Sequence, residues 1–328
     1  MRDNYDVIVI GGGAAGLSAA LILGRSRRSV LVVDADEPRN APAAGVHNYL
    51  GQEATPPRDL TRTGRDEVAR YGVDVMAGRL VATSATPVPD GDPVGFTATL
   101  DSGEQVHARR VVVASGALDL LPDVPGLAEQ WGRGVVHSPF FHGWEIRDRR
   151  IGALVTTPFG AHQALLWRAL SEHVTVFATE PGLVDDTARA GFDARGINVI
   201  DGAVARVLST DGVLTGVVLG DGSVVDLDAL AAASTAEARV DGLEGIGLVA
   251  EDFRMGDFRV AGAVTVDAMG QTSVRGVWAA GNVASPMATV IASAAAGTQA
   301  GAAVHGDLVQ ADLAAALARS GVSAYSTR

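Results

Sequence analysis

Tyr5-Asp6-Val7-Ile8-Val9-Ile10-Gly11-Gly12-Gly13-Ala14-Ala15-Gly16-Leu17-Ser18-Ala19-Ala20-Leu21 joins an apolar run to a glycine turn and then to alanine-rich helical sequence. A buried parallel strand ending in such a turn seats a dinucleotide pyrophosphate on the N-terminus of the helix that follows. Gly11 permits the tight turn, Gly13 lets the backbone approach phosphate with no Cβ in the way, and Gly16 lets helix and strand pack closely. A second apolar run, Val30-Leu31-Val32-Val33, delivers Asp34 at about the twenty-residue offset of a carboxylate that binds a ribose hydroxyl. The glycine pattern alone also occurs at tight strand-to-helix turns without a ligand. Strand, turn, helix, strand and acid together read as a dinucleotide site.

Composition narrows the surroundings of that site. At 328 residues, 47% of them hydrophobic, the chain is long enough for about two α/β domains with substantial cores. Its 26 basic residues stand against 38 acidic ones, a net charge of −12, and no basic run interrupts the balance. Nucleic acid and an anionic membrane are therefore not expected partners. The first strand begins within five residues of Met1, so no signal peptide is expected and a cytoplasmic location is. Ala288 to Val304 is apolar enough to raise a membrane span, but its alanines, Thr298 and Gln299 favour a buried helix. Cysteine is absent, which removes disulfides, thiolate nucleophiles and Cys-ligated metals. His107, His162, His173 and His305 have no ligand spacing, so no metal site is expected, and His47, beside Asn48, reads either as a ligand-contacting residue or as an ordinary loop histidine.

Beyond Asp34, the loop Pro38-Arg39-Asn40-Ala41-Pro42 and the stretch Gly45-Val46-His47-Asn48-Tyr49-Leu50-Gly51 have the turn residues and mixed polarity of a ligand-contacting segment, or of a surface connection. Pro57 to Tyr71 reads as an exposed helix. Strands are expected at Val73 to Thr83, Val94 to Leu100 and Gln105 to Ala108, and Arg110 to Val113 as a further buried strand running into the small-residue turn Ala114-Ser115-Gly116-Ala117. Leu121-Pro122-Asp123-Val124-Pro125-Gly126 is the expected linker. A second strand, helix, strand unit follows at Arg150 to Val155, Phe159 to Ser171 and Val174 to Phe177. Strands near Val199 and at Val204 to Leu208, Leu214 to Leu219 and Val224 to Ala233 would complete a smaller sheet. Finally, Val277-Trp278-Ala279-Ala280-Gly281-Asn282 repeats the strand-to-glycine pattern before a long small-residue helix starting near Ala288. From Ser320 the tail reads as polar and disordered.

Gly11-x-Gly13-x-x-Gly16, the Ala114-Ser115-Gly116 turn and the terminal Val277 to Asn282 segment together resemble the low-molecular-weight thioredoxin reductases and their dithiol-oxidase relatives, over essentially the whole chain. The resemblance implies two Rossmann-like three-layer domains: an FAD domain from residues 1–118 and 240–328, and an inserted NAD(P)H-type domain at 119–239, usually in a homodimer. It places Gly11, Gly13, Ala14, Ala15 and Gly16 at the FAD pyrophosphate, Asp34 at the ribose, and Asn48 near the isoalloxazine. Gly281 and Asn282 match the Gly-Asp pair at the ribityl chain and phosphate, and Thr289 and Val290 the helix start beneath the pyrimidine edge. Asn40, Val81, Ala114, Ser115 and Gly116 complete the cofactor contacts. Asn282 replaces the family's usual aspartate, an amide that still offers an acceptor and adds donors.

Two departures bear on function. His137-Ser138-Pro139-Phe140-Phe141-His142-Gly143-Trp144-Glu145 resembles the family's Cys-Pro-Tyr-Cys-His-Gly-Trp-Glu, with Ser138 and Phe141 at the cysteine positions, so thiol–disulfide exchange by the chain's own residues is excluded. Where the family has a glycine-rich nucleotide turn, this chain has Thr156-Thr157-Pro158-Phe159-Gly160, and Glu180 stands where a basic cluster would meet the NADPH 2′-phosphate. NAD(P)H is therefore not an expected cofactor. His142 reads either as a base that accepts a substrate proton or as a residue left in the interdomain cleft. Ser138 either orients a substrate hydroxyl or fills the volume of the lost thiol. Phe140 and Phe141 are read as an apolar wall over the flavin or as core. Three functions follow: an FAD oxidoreductase reduced directly by an unknown small organic substrate, a non-catalytic FAD-binding partner subunit, or an NAD(P)H-dependent reductase of ferredoxin or flavodoxin type.

Overall fold

In the computed structural model, which describes residues 2–86, 94–157 and 159–320, the opening motif forms β1 (Asn4–Ile10), α1 (Ala14–Arg25) and β2 (Val30–Asp34). Then come α2 (Pro57–Ala69), β3 (Asp74–Ala77), β4 (Leu80–Ala85), β5 (Phe96–Leu100) and β6 (Gln105–Val113). The middle of the chain forms β7 (Ala117–Leu120), α3 (Leu127–Gln130), β8 (Val135–Val136), α4 (Pro139–His142), β9 (Ile151–Val155), α5 (Phe159–Arg168), β10 (Val174–Ala178) and α6 (Asp186–Ala194). It continues through β11 (Asn198–Asp201), β12 (Val204–Thr210), β13 (Val213–Leu219), β14 (Val224–Asp226), β15 (Ala229–Ala232) and β16 (Thr235–Ala238). The last stretch holds β17 (Glu251–Met255), β18 (Phe258–Ala263), β19 (Val277–Ala279) and α7 (Val290–Ser320).

Strands β3, β2, β1, β6 and β19 lie side by side and parallel, drawing the two ends of the described chain into one sheet. β1 is apolar at successive positions because both of its faces are covered. Ile8 and Ile10 enter one core with Leu31, Val33 and Phe96, while Val7 and Val9 enter the other with Leu17, Leu23, Val304 and Leu308 of α1 and α7. The two helices touch along small residues. A Cβ on Gly297 would stand 2.0 Å from the carbonyl oxygen of Ala15, so the helix backbones are in direct contact there. That contact explains the alanine-rich, unpatterned sequence of α7, and no described helix is long and apolar enough to cross a membrane.

β6 corrects the sequence reading most clearly. Gln105 to Ala108 and Arg110 to Val113 are one strand, which pairs antiparallel with β5 at its start and parallel with β19 at its end. The expected strand Val73 to Thr83 is instead two, β3 and β4, broken at Gly78 and Arg79. Val224 to Ala233 also divides. β14 joins a three-stranded antiparallel sheet with β12 and β13, and β15 enters a parallel sheet ordered β11-β10-β9-β15-β8. The smaller second sheet expected there is thus a five-stranded Rossmann-like layer with the antiparallel sheet packed on it through Phe177, Leu227, Leu230, Leu214 and Val217. Trp167 and Phe192 fill its other face.

Passage between the two parts of the chain is made by β7 running out and β16 running back antiparallel to it, within a four-stranded sheet ordered β17-β18-β16-β7. Leu121 to Gly126 carries no helix or strand, as its prolines require, although Leu121 and Val124 pack on the core of the middle part. Pro158 and the tail after Ser320, both given expectations above, lie outside the described residues.

Candidate cofactor and substrate site

A cavity of about 560 Å³ runs from the glycine turn between β1 and α1 to the α4 turn, within the size range of cofactor and ligand sites. Gly11, Gly13, Ala14 and Ala15 line it, as do Asp34, Asn40, Ala114, Ser115, Gly116, Gly281, Asn282, Thr289 and Val290. Residues more than 250 positions apart meet there because β19 pairs with the C-terminal half of β6 beside β1. Gly13 is the N-cap of α1 and no side chain caps that helix end. Its free N–H groups and partial positive charge therefore face the cavity. Gly16 stands behind the turn, where the strand's backbone touches the helix.

Besides Gly16, two of the expected contact residues are not in the cavity lining. Val81 does not line the cavity. It falls in a register irregularity of the β4–β5 pair and is 51% exposed, while Gly78, Arg79 and Leu80 form the wall. Successive strand residues face opposite ways, so a wall built by Leu80 turns Val81 outward. Asn48 is also outside the lining. With a left-handed φ of 59°, it turns its Nδ2 to donate to the carbonyl of Phe140 at 2.5 Å, which ties the loop after β2 to the α4 turn.

Asn282 lines the cavity and has a use that its sequence position does not reveal. Its Nδ2 donates to the carbonyls of Ser285, Pro286 and Ala288 at 3.1, 3.3 and 2.9 Å. Three converging acceptors need a donor, which an ionised aspartate lacks. The amide therefore holds the turn before α7.

Sequence reasoning missed an ion pair in the cavity lining. Arg39, in the loop already singled out, grips Asp119 of β7 through Nε and Nη2 at 2.9 and 2.6 Å and donates through Nη1 to the carbonyl of Pro286 at 2.7 Å. One guanidinium thus joins three segments. Burial pushes the Asp119 carboxyl up, but the Arg39 bonds and charge, with the Ser234 hydroxyl, outweigh it and hold the group below its ordinary value. Trp131, His137, Gln163 and Leu166, all from the middle part of the chain, also reach the cavity.

Ser138 caps α4, accepting from the Phe140 N–H at 3.3 Å, which supports the volume-filling and structural reading of that residue. Phe140 is 67% exposed and Phe141 lines the cavity, so neither is core. His47 is engaged by Glu53, with Nδ1 2.6 Å from Oε1. His142 also lines the cavity, yet both of its ring nitrogens are closed to solvent and make no hydrogen bond. Burial lowers its pKa, and the charge of His47 lowers it further against the opposing effect of Glu145. His137 is lowered in the same way by burial, partly countered by Asp119.

These two histidines set a pH dependence. Each binds its proton less readily folded than unfolded, so below the ordinary value of about 6.5 the unfolded chain holds more protons and stability falls with falling pH. Urea midpoints measured between neutral pH and about pH 5 should therefore decline. A His137→Gln, His142→Gln double variant should show a shallower decline.

Residues 5–301 match the family model described as "Pyridine nucleotide-disulphide oxidoreductase". The thioredoxin reductase tcpT of Claviceps purpurea is 30% identical over 84% of this chain and 86% of its own length. The thioredoxin reductase sirT of Leptosphaeria maculans is 29% identical over 95% and 96%. Among solved structures, HlmI superposes with a TM-score of 0.87 at 38% identity, covering 98% of both chains. An oxidoreductase from Agrobacterium tumefaciens gives 0.83 at 33%, covering 93% and 99%.

Proposed function

The chain belongs to the pyridine nucleotide-disulphide oxidoreductase family, whose members bind FAD, and from that premise we propose that it is a flavin oxidoreductase without a redox disulfide. In this reading residues 1–118 and 240–328 hold FAD, and 119–239 form a degenerate NAD(P)H-type domain. A small organic substrate is then oxidised directly at the cofactor. The residues fit the group: an uncapped helix N-terminus opens onto the cavity at Gly13, where an added Cβ would meet nothing within 4 Å. FAD, when bound, supplies a two-electron acceptor.

The observation that carries the proposal is that Ser138, the cap of α4, and Phe141 within it, at the two cysteine positions, line the same cavity as the glycine turn. Substrate takes the place that a disulfide would occupy. The chain's contribution is then to bind, to exclude water and to hold a proton. His142, neutral at pH 7 because its pKa is lowered by burial, is the group proposed to accept the substrate's proton at a ring nitrogen. Since both nitrogens are closed off, the α4 turn must shift for substrate to reach them, and Asn48 holds that turn by its backbone. Loss of the nicotinamide route is supported by Phe159, at the start of α5, whose ring meets Phe258 edge-on at 6.3 Å between centroids. Thr156, Thr157 and Phe159 stand in this turn instead of the glycines that would offer bare N–H groups to a phosphate.

Anaerobic titration of the flavin-loaded protein with NADPH, NADH and a panel of small reduced metabolites tests this reading. Bleaching by an organic donor, slowed in His142→Ala, is the expected result. Rapid bleaching by NADPH replaces it with the reductase reading. A flavin reduced by dithionite and by no other donor points to a non-catalytic subunit.

A further inference from the structure

Asp34 closes β2 with its side chain only 13% exposed, and a carboxylate so placed needs a cationic partner. Arg65 of α2 supplies it, donating through Nη2 to Asp34 Oδ2 at 2.6 Å and to Asp36 Oδ1 at 2.6 Å. Asp36 also accepts from Arg58 at 2.9 Å. Arg58 and Arg65 are seven residues apart, two turns along one face of α2. Asp36 is held with φ at 56°, a left-handed conformation uncommon outside glycine. The alternating chain Arg58, Asp36, Arg65, Asp34 thus bolts the loop after β2 onto α2.

Two details separate this network from a simple stabilising clamp. Asp34 Oδ1 accepts no hydrogen bond from the described residues, although Asp34 and Arg65 both line the cavity. Arg65 Nε is buried without a partner, a cost that stability alone does not favour. We propose that Arg65 is a positioning residue for the adenosine end of the cofactor: it clamps one oxygen of Asp34 so that the other is left for the ribose hydroxyls, and thereby selects flavin dinucleotide over flavin mononucleotide. The inference rests on the FAD reading above. A carboxylate with both oxygens fixed by protein would have none for a ribose, and one with neither fixed would sample rotamers that lose it.

Apoprotein titrated with FAD and with FMN, followed by quenching of flavin fluorescence, tests the assignment. In Arg65→Met the FAD Kd should rise about ten- to a hundredfold, the loss of a charge-assisted bond, while the FMN Kd stays at the parent value. Arg65→Lys, which restores the charge without the planar fork, should recover part of the loss. Asp36→Asn, which leaves the cavity lining intact and loosens Arg65, should shift FAD affinity in the same direction by less, and guards against a misfolded Arg65 variant. Equal weakening of FAD and FMN, or unchanged FAD affinity in Arg65→Met, overturns the proposal. Failure of the parent protein to bind FAD overturns the FAD reading itself, and the parent titration shows that separately.

Discussion

Gly13→Val should fold like the parent and emerge from purification without flavin. Gly13 has an extended backbone, φ −80° and ψ −171°, which a β-branched residue adopts readily, and its added Cβ would meet no protein atom within 4 Å. The fold therefore loses no more than about 1 kcal/mol, the difference between glycine and a poor N-cap residue. The space that the new side chain enters is the cavity itself, at the uncapped end of α1. A pyrophosphate held there needs backbone N–H groups at hydrogen-bond distance, and two methyl groups in between prevent it. The checks are the flavin-to-protein absorbance ratio and the thermal midpoint of the apoprotein. A flavin content equal to the parent's would mean that the turn is not the pyrophosphate site.

Three residues on, Gly16→Ala should have the opposite outcome. A Cβ there would lie 1.9 Å from the carbonyl oxygen of Gly11, with Val9 Cγ1 at 3.2 Å behind it. The clash is with backbone at the end of β1, the central strand of its sheet, so no flexible side chain can yield. Relief requires α1 to lift from the strand, and α1 is also packed backbone to backbone on α7 through Gly297. A loss of about 3 kcal/mol or more, at the upper end of overpacking costs, is expected from urea unfolding, with a fall in soluble yield. Near-parent stability in Gly16→Ala would show that the strand-to-helix contact is looser than described. Two glycines of one motif thus separate cleanly: Gly13 opens onto the cavity and Gly16 carries the strand-to-helix contact.

Much of this was legible in the chain itself. Apolar runs identified β1, β2, β9, β10 and the end of β6, because strands covered on both faces must be apolar at successive positions. Less was legible where one run divides between two environments. Nothing local marks Gln105 to Val113 as a single strand, since its halves have different neighbours, β5 and β19, and different pairing directions. The same holds for Val224 to Ala232, where two residues separate strands that belong to different sheets.

Site residues follow a similar division. Those that the motif marks through backbone, at positions 11, 13 to 15, 114 to 116 and 281, do line the cavity, because the motif encodes close approach. Those whose role depends on a partner far along the chain could not be placed by motif. Asn48 finds its carbonyl on Phe140, Arg39 its carboxylate on Asp119, and Asn282 three carbonyls on the turn before α7.

By itself the sequence determined that two strand-turn-helix units exist, that the first carries the glycine pattern and the second Thr156-Thr157-Pro158 in its place, and that no thiol is present for a disulfide relay. Those facts depend on residue type and spacing, which are properties of the chain. Only the tertiary structure decided that the α4 turn and the glycine turn share one cavity, that the His142 ring nitrogens are closed to solvent, and that Arg65 bonds one oxygen of Asp34. Distance between remote side chains and exclusion of water from them arise when sheets and helices pack, and no local pattern encodes either.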